Sequence, residues 1–209
     1  MKKTLACLAA ATVTLAVAQP SQQAQAAPVI YPTFTQSAYL SYTGMIDDCL
    51  RAELYLTTSE TVIASPDGPV TASDHGEGSL EIRDTCNLTP PECDEDCDDL
   101  EPQPTRVLSA SLAPTHGPTV VDPVLLTSAT YRETLRPSGK AKRVKITIDW
   151  KGRGQAKRTF ERERSDEGLF LRSAVTRKAK ATFTVVAGAY TITGTTNRAQ
   201  IDQAAYTML

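Results

Sequence analysis

The sequence is poor in the residues that usually build catalytic sites. Its 209 residues include two histidines, one tryptophan and four phenylalanines, and aromatic residues make up 6% of the chain. It has no HExxH motif of metalloproteases, no GxSxG motif of α/β-hydrolases and no glycine-rich phosphate loop. We therefore expect a protein without catalytic activity.

The sequence also lacks an amphipathic helical pattern of ten or more residues, whereas alternation with a period of two is frequent. Apolar and polar residues alternate from Arg143 to Trp150, from Lys178 to Ala187 and from Leu50 to Thr57. β-Branched residues dominate these segments, as is typical of strands. Short strands separated by turn residues predict an all-β fold, an antiparallel β-sandwich of roughly ten strands.

A long apolar run occurs only at the N-terminus. Two lysines precede an uncharged segment from Thr4 to Val17, which is shorter than the roughly 20 residues of a membrane-spanning helix. Small residues predict cleavage after Ala26, with cleavage after Ala18 as the alternative. We expect a signal peptide over residues 1–26 and one β-sandwich domain over residues 27–209. The protein would then be secreted, periplasmic or on the surface of a bacterial cell, without a transmembrane segment after cleavage.

The chain has few cysteines, and an even number of them follows the predicted cleavage site. Cys7 would leave with the signal peptide, and Cys49, Cys86, Cys93 and Cys97 would remain. Exported proteins pair their thiols, and four cysteines allow three pairings. We predict Cys49–Cys86, which would tie two strands, together with Cys93–Cys97. The spacing matches no common structural zinc pattern.

Charge is distributed unevenly along the chain. Residues 28–131 contain three basic and seventeen acidic residues, whereas residues 132–180 contain sixteen basic and six acidic ones. Either the two halves neutralise each other within one fold, or the basic half contacts an anionic polysaccharide or envelope polymer. Nucleic acid is disfavoured because few aromatic residues interleave with the basic ones. The candidate anion-binding residues are Lys140, Lys142, Arg143 and Lys145.

The acidic half contains a segment that predicts a loop insertion over residues 87–104, because it carries four prolines and many carboxylates. Asp94, Asp96 and Asp98 are candidate ligands for Ca²⁺, which prefers oxygen donors. Their spacing matches the start of an EF-hand loop, but Asp99 stands where the required glycine would be. The alternative is a solvated acidic loop, and no cofactor other than Ca²⁺ is expected.

The sequence thus predicts an exported binding or structural protein of the bacterial cell envelope or exterior. One alternative is a secreted hydrolase that uses loops around His75 and His116, although a catalytic arrangement is recognised by geometry and not by sequence position. Another alternative is a domain stabilised by calcium. A second long connection is predicted from Ser65 to Gly78, which contains several glycines and prolines.

Overall fold

The computed structural model describes residues 32–89, 101–139, 143–166 and 168–208. In these residues the chain forms eleven strands and no helix, so the predicted all-β class is confirmed. None of them belongs to a helix long and apolar enough to cross a membrane. The strands are β1 (Thr33–Met45), β2 (Leu50–Ile63), β3 (Val70–Thr89), β4 (Gln103–Leu112), β5 (Thr119–Val121), β6 (Ser128–Leu135), β7 (Ser138–Gly139), β8 (Val144–Gly152), β9 (Lys157–Ser165), β10 (Gly168–Ala187) and β11 (Tyr190–Met208).

All eleven strands belong to one antiparallel sheet. Its order is β5-β6-β8-β10-β11-β1-β2-β3-β4-β7, and β9 pairs with β10 next to β8. β10 and β11 form the long central hairpin, whose pairs run from Ala187 opposite Tyr190 to Phe170 opposite Met208. The predicted signal peptide lies outside the described residues.

The core lies on one face of this sheet. Alternation in β8 buries Val144, Ile146, Ile148 and Trp150, as the sequence predicts. The Trp150 indole Nε1 donates a hydrogen bond of 2.9 Å to the carbonyl of Tyr39 in β1. Since β10 and β11 separate β8 from β1 in the strand order, the sheet must curve over this core. Burial of each large apolar side chain contributes roughly 1.5–3 kcal/mol to stability.

The central strands continue beyond the core. In β10 the alternation of buried and exposed residues ends at Ala179, and residues 168–177 are nearly all half-buried. We call β9, residues 168–176 of β10, residues 202–207 of β11 and residues 33–37 of β1 the sheet extension. Because its residues are only partly buried on either side, both of its faces are accessible to solvent.

The predicted connection from Ser65 to Gly78 is wrong over most of its length, because β3 begins at Val70. Close packing explains the glycines in this strand. A Cβ atom on Gly78 would lie 2.6 Å from the carbonyl oxygen of Tyr55, and one on Gly76 would lie 2.4 Å from Pro114 Cβ. Such glycines mark sites where other chain segments approach a strand closely.

The predicted acidic insertion is shorter than residues 87–104 suggest. Both ends of this segment belong to paired strands: Leu88 of β3 stands opposite Pro104 of β4, and Thr89 stands opposite Gln103. The stretch from residue 90 to residue 100, with Asp94, Asp96, Asp98, Cys93 and Cys97, lies outside the described residues. The calcium site and the second disulfide therefore stay predictions.

The predicted disulfide Cys49–Cys86 is confirmed. It joins the turn after β1 to the last part of β3, with a Cα–Cα distance of 5.1 Å, and the two cysteines are 37 positions apart in the sequence. The backbone amide and the hydroxyl of Thr85 both donate hydrogen bonds to the Cys49 carbonyl, at 2.7 and 2.8 Å. The bridge and these bonds fix the β1–β2 turn against β3.

Replacing both cysteines of this bridge, as Cys49→Ala with Cys86→Ala, should lower the free energy of unfolding by about 4 kcal/mol, because the unfolded chain gains loop entropy. Urea denaturation measures the loss, and a reducing agent should cause the same loss in a variant without Cys93 and Cys97, which keeps only the Cys49–Cys86 bridge. The matched variant Cys93→Ala with Cys97→Ala should lose about half as much, since any loop it opens is short. Unchanged stability of the first variant would contradict the role of the bridge.

Candidate anion-binding groove

A bulge in β11 shapes the outer face of the central hairpin. The register between β10 and β11 shifts between Ala179 and Ala181, so that Asn197 and Arg198 together oppose Lys180. A bulge of this kind turns side chains away from the regular alternation. Both Asn197 and Arg198 are exposed, and their side chains, an amide and a cation, line the space beside β11.

The first of three clefts beside β11 lies between the β8–β9 turn and the hairpin. Its volume is about 320 Å³. The Arg153 amide donates a hydrogen bond of 2.7 Å to the Lys178 carbonyl and so fixes the turn against β10, and Gly154 adopts a φ of 63° in that turn. The cleft is lined by Arg153, Gly154, Gln155, Lys157, Thr176, Lys178 and Gln200.

The second cleft opens where β1 and β11 separate. Their pairing ends with Leu40 opposite Ala199, and beyond this point the Thr196 hydroxyl donates a hydrogen bond of 2.8 Å to the Ser41 carbonyl. The cleft has a volume of about 570 Å³. It is lined by Ser41, Tyr42, Thr43, Arg51, Thr195, Thr196, Asn197 and Arg198.

The third cleft, of about 230 Å³, lies on the sheet extension and has a floor of small side chains. Arg172 stands at its rim, 3.0 Å from Glu161 and 5.6 Å from the centre of the Tyr206 ring. The lining residues are Thr35, Ser37, Arg172, Ala174, Thr176, Asp202, Gln203, Ala204 and Tyr206.

These clefts form one track along β11, which we call the β11 groove. Thr176 borders both the first and the third cleft. Asn197 of the second cleft accepts a hydrogen bond of 2.5 Å from Arg153 of the first. From Thr195 to Tyr206 the strand rises by about 36 Å at roughly 3.3 Å per residue. The groove is therefore long enough for an extended polymer.

The cations of the groove are available to a ligand. Four cations of the groove are exposed: Arg153, Lys157, Lys178 and Arg198. None of them forms an ion pair with a carboxylate among the residues that the structure describes. Asp202 is the acidic residue of the lining, and the Gln200 amide lies 2.9 Å from both of its oxygens. The groove thus offers several point charges for anions, together with amides and hydroxyls as neutral partners.

The charge asymmetry of the sequence persists in the fold. Within the described ranges, no basic residue from positions 132–180 forms an ion pair with a carboxylate from positions 28–131. The Arg and Lys ion pairs are Arg51–Glu53, Arg83–Glu81, Arg106–Glu81, Arg132–Asp149 and Arg172–Glu161. Each of them joins two residues of the same half, so among the described residues direct pairing between the halves does not neutralise the basic half.

The candidate residues predicted from sequence lie elsewhere. Arg143 and Lys145 are exposed at the start of β8, and Lys145 stands opposite Val186. Val186 is eight positions along β10 from Lys178, or about 26 Å, so the structure does not bring these residues to the groove. Lys140 and Lys142 lie outside the described residues, and this predicted site stays a prediction.

The groove residues were missed because the sequence gives little signal for them. Arg153 lies in a turn that Gly152 and Gly154 predict. Which strand this turn packs against depends on the order of the strands in the sheet. Arg198 follows the place where the alternation of Thr191 to Thr195 breaks, and such a break is the sequence signal of a bulge.

The two histidine segments meet at β2. The Thr58 hydroxyl donates a hydrogen bond of 3.0 Å to the His116 carbonyl, and the neighbouring Ser59 stands opposite His75 in β3. The imidazole of His116 contacts groups of the protein itself: Nδ1 lies 2.9 Å from the Gly117 carbonyl and Nε2 lies 3.8 Å from Glu133. The described contacts of His116 therefore fit a structural role.

Glu133 is the centre of this contact. Its carboxylate accepts hydrogen bonds from the hydroxyls of Thr115 and Tyr131 and from the Thr115 amide, the last at 3.2 Å. Burial disfavours its ionised form, but these bonds and the nearby His116 outweigh burial, so the pKa of Glu133 lies below its ordinary value. Burial and the adjacent carboxylate raise the pKa of Tyr131. We call these four residues the Glu133 cluster, and it holds the β4–β5 connection against β6.

Comparison with known proteins gives no assignment. No family model, no curated protein and no solved structure matches this chain. The chemistry of its residues is therefore the basis of the functional proposal.

Replacing Glu133 by glutamine should lower the free energy of unfolding by about 1–3 kcal/mol at neutral pH, because the buried Tyr131 hydroxyl and the two Thr115 donors lose their charged acceptor. The pKa of Glu133 is depressed by folding, so its contribution is complete above its unfolded value of about 4.3 and disappears as the pH falls through its lower folded value. Urea denaturation from neutral to acidic pH should show the two proteins converging. The exposed variant Glu163→Gln should match the natural protein at neutral pH, and a constant difference for Glu133→Gln at all pH values would contradict the assignment.

Proposed function

We propose that this chain is an exported, non-catalytic binding protein of the bacterial cell envelope or exterior, and that it contacts an anionic polysaccharide through the β11 groove. The observation that carries the proposal is a continuous groove with four exposed cations, Arg153, Lys157, Lys178 and Arg198, that form no ion pair in the described residues. Such cations attract the successive charges of a polymer.

A polysaccharide fits the groove better than a ligand that carries charge alone. Asp202, Gln200 and several hydroxyl side chains can bind sugar hydroxyls along the track. Tyr39 stands opposite Gln200, and Tyr206 lines the third cleft. Aromatic rings combine an apolar face with a polar edge, which suits the mixed surface of a sugar.

Export and a sandwich arrangement belong to the same proposal. The disulfide Cys49–Cys86 is compatible with an oxidising compartment, and the predicted signal peptide would supply the route. The hydrogen bond from Trp150 to Tyr39 across the core supports a sheet that folds into two facing layers.

Charge reversal in the groove, as Arg153→Glu with Lys178→Glu, should weaken binding of heparin, a sulfated polysaccharide, by at least about tenfold at low salt. Titration calorimetry between about 50 and 200 mM salt should give a binding constant that falls with salt for the natural protein. The slope of its logarithm should decrease in magnitude by about 2 in the variant, because two cation–anion contacts are lost.

A matched control has the same change in charge outside the groove. Arg132→Glu with Arg136→Glu alters two exposed cations in and just after β6, outside the lining of the groove, and should bind heparin within about threefold of the natural protein. Equal losses in the two variants would indicate a diffuse effect of net charge and contradict the groove. Binding that does not respond to salt would contradict the electrostatic contact itself.

A further inference from the structure

The edge strand β9 separates its charged residues by face. Residues directly opposite in antiparallel strands share a face of the sheet. Arg158, Arg162 and Arg164 stand opposite Val175, Leu171 and Leu169 of β10. The carboxylates of the strand, Glu161 and Glu163, lie on the other face, which also carries the β11 groove.

The face with the arginines is also apolar. Phe160 lies among the arginines on that face and is 67% exposed. The small residues Ser173 and Ala205 follow it across the sheet, and Phe34 of β1 comes next and is 39% exposed. Three strand spacings of about 4.8 Å separate the two phenylalanines by about 14 Å.

The charges of this face are unmatched. Among the residues that the structure describes, Arg158, Arg162 and Arg164 form no ion pair. We call Arg158, Phe160, Arg162 and Arg164, together with Leu169 and Leu171, the arginine face. Charges on an edge strand commonly prevent aggregation, but that role would not require a phenylalanine exposed between them.

We infer that the arginine face docks on a membrane surface rich in anionic lipids. The arginines would contact the headgroups, and Phe160 would enter the boundary between headgroups and acyl chains, as in other proteins that lie on membranes. Charge complementarity selects this partner: three cations and no carboxylate lie on a partly apolar face of the sheet extension, which is open to solvent. The opposite face of β9 carries both charges and fits such a surface poorly.

The test uses vesicles of phosphatidylglycerol and phosphatidylcholine, with pure phosphatidylcholine as the uncharged reference. The natural protein should cosediment with the anionic vesicles and not with the reference. Arg158→Glu with Arg162→Glu should lower its partitioning about 30-fold, because each arginine near an anionic surface contributes roughly fivefold to binding. Phe160→Ala should lower it about tenfold, whereas the neighbouring Thr159→Ala, on the other face, should change little.

The groove variant Arg153→Glu with Lys178→Glu serves as the second control. It should lose heparin binding and keep vesicle binding within about threefold, whereas the arginine-face variant should show the reverse pattern. Failure of one proposal can thus be told from failure of the other. Equal binding to charged and uncharged vesicles, or unchanged binding of the arginine-face variant, would overturn the inference. So would a natural protein that dimerises without vesicles while the variant is a monomer, because a second copy would then cover this face.

Discussion

The pairing of β10 with β11 is the contact on which the rest of the structure depends. β8 and β9 both pair with β10, and β1 pairs with β11, so these two strands carry the neighbours on either side. In an antiparallel pair the register decides which side chains share a face. The single shift near Ala179 therefore determines where the core ends, where Asn197 and Arg198 project and where the groove runs.

The same alternation explains how one sheet can present two chemically different faces. In the core region the inner face is filled by Trp150, Phe183 and aliphatic residues, and the outer face carries threonines and lysines. In the sheet extension, no layer of described residues covers the inner face of the sheet. Side chains that alternate with a period of two therefore lie on two exposed faces. One carries amides, hydroxyls and the groove cations, and the other carries the arginine face.

The predictable part of the fold is the part that local alternation encodes. The strand from Val144 to Trp150 and its buried face follow from period two alone, and Cys49–Cys86 follows from two strand ends that carry cysteines. The strand at 70–78 was missed because its glycines serve close packing by Pro114 and by the backbone at Tyr55, contacts between segments distant in sequence. The groove was missed for the same reason: Arg153 and Lys178 become neighbours through strand order, and Arg198 through a bulge.

The position of the acidic residues decides whether the cations of the basic half, residues 132–180, can attract ligands. If ion pairs joined the two halves, carboxylates would neutralise the arginines and lysines. The uneven distribution of charge along the chain would then have no effect on ligands. In the part of the chain that the structure describes, the ion pairs of Arg and Lys instead stay within each half, and Glu133, a carboxylate of the basic half, is held by Thr115 and Tyr131. Both proposed surfaces thus have cations whose field acts on solvent and ligands, and salt should weaken both in proportion to the number of contacts each makes.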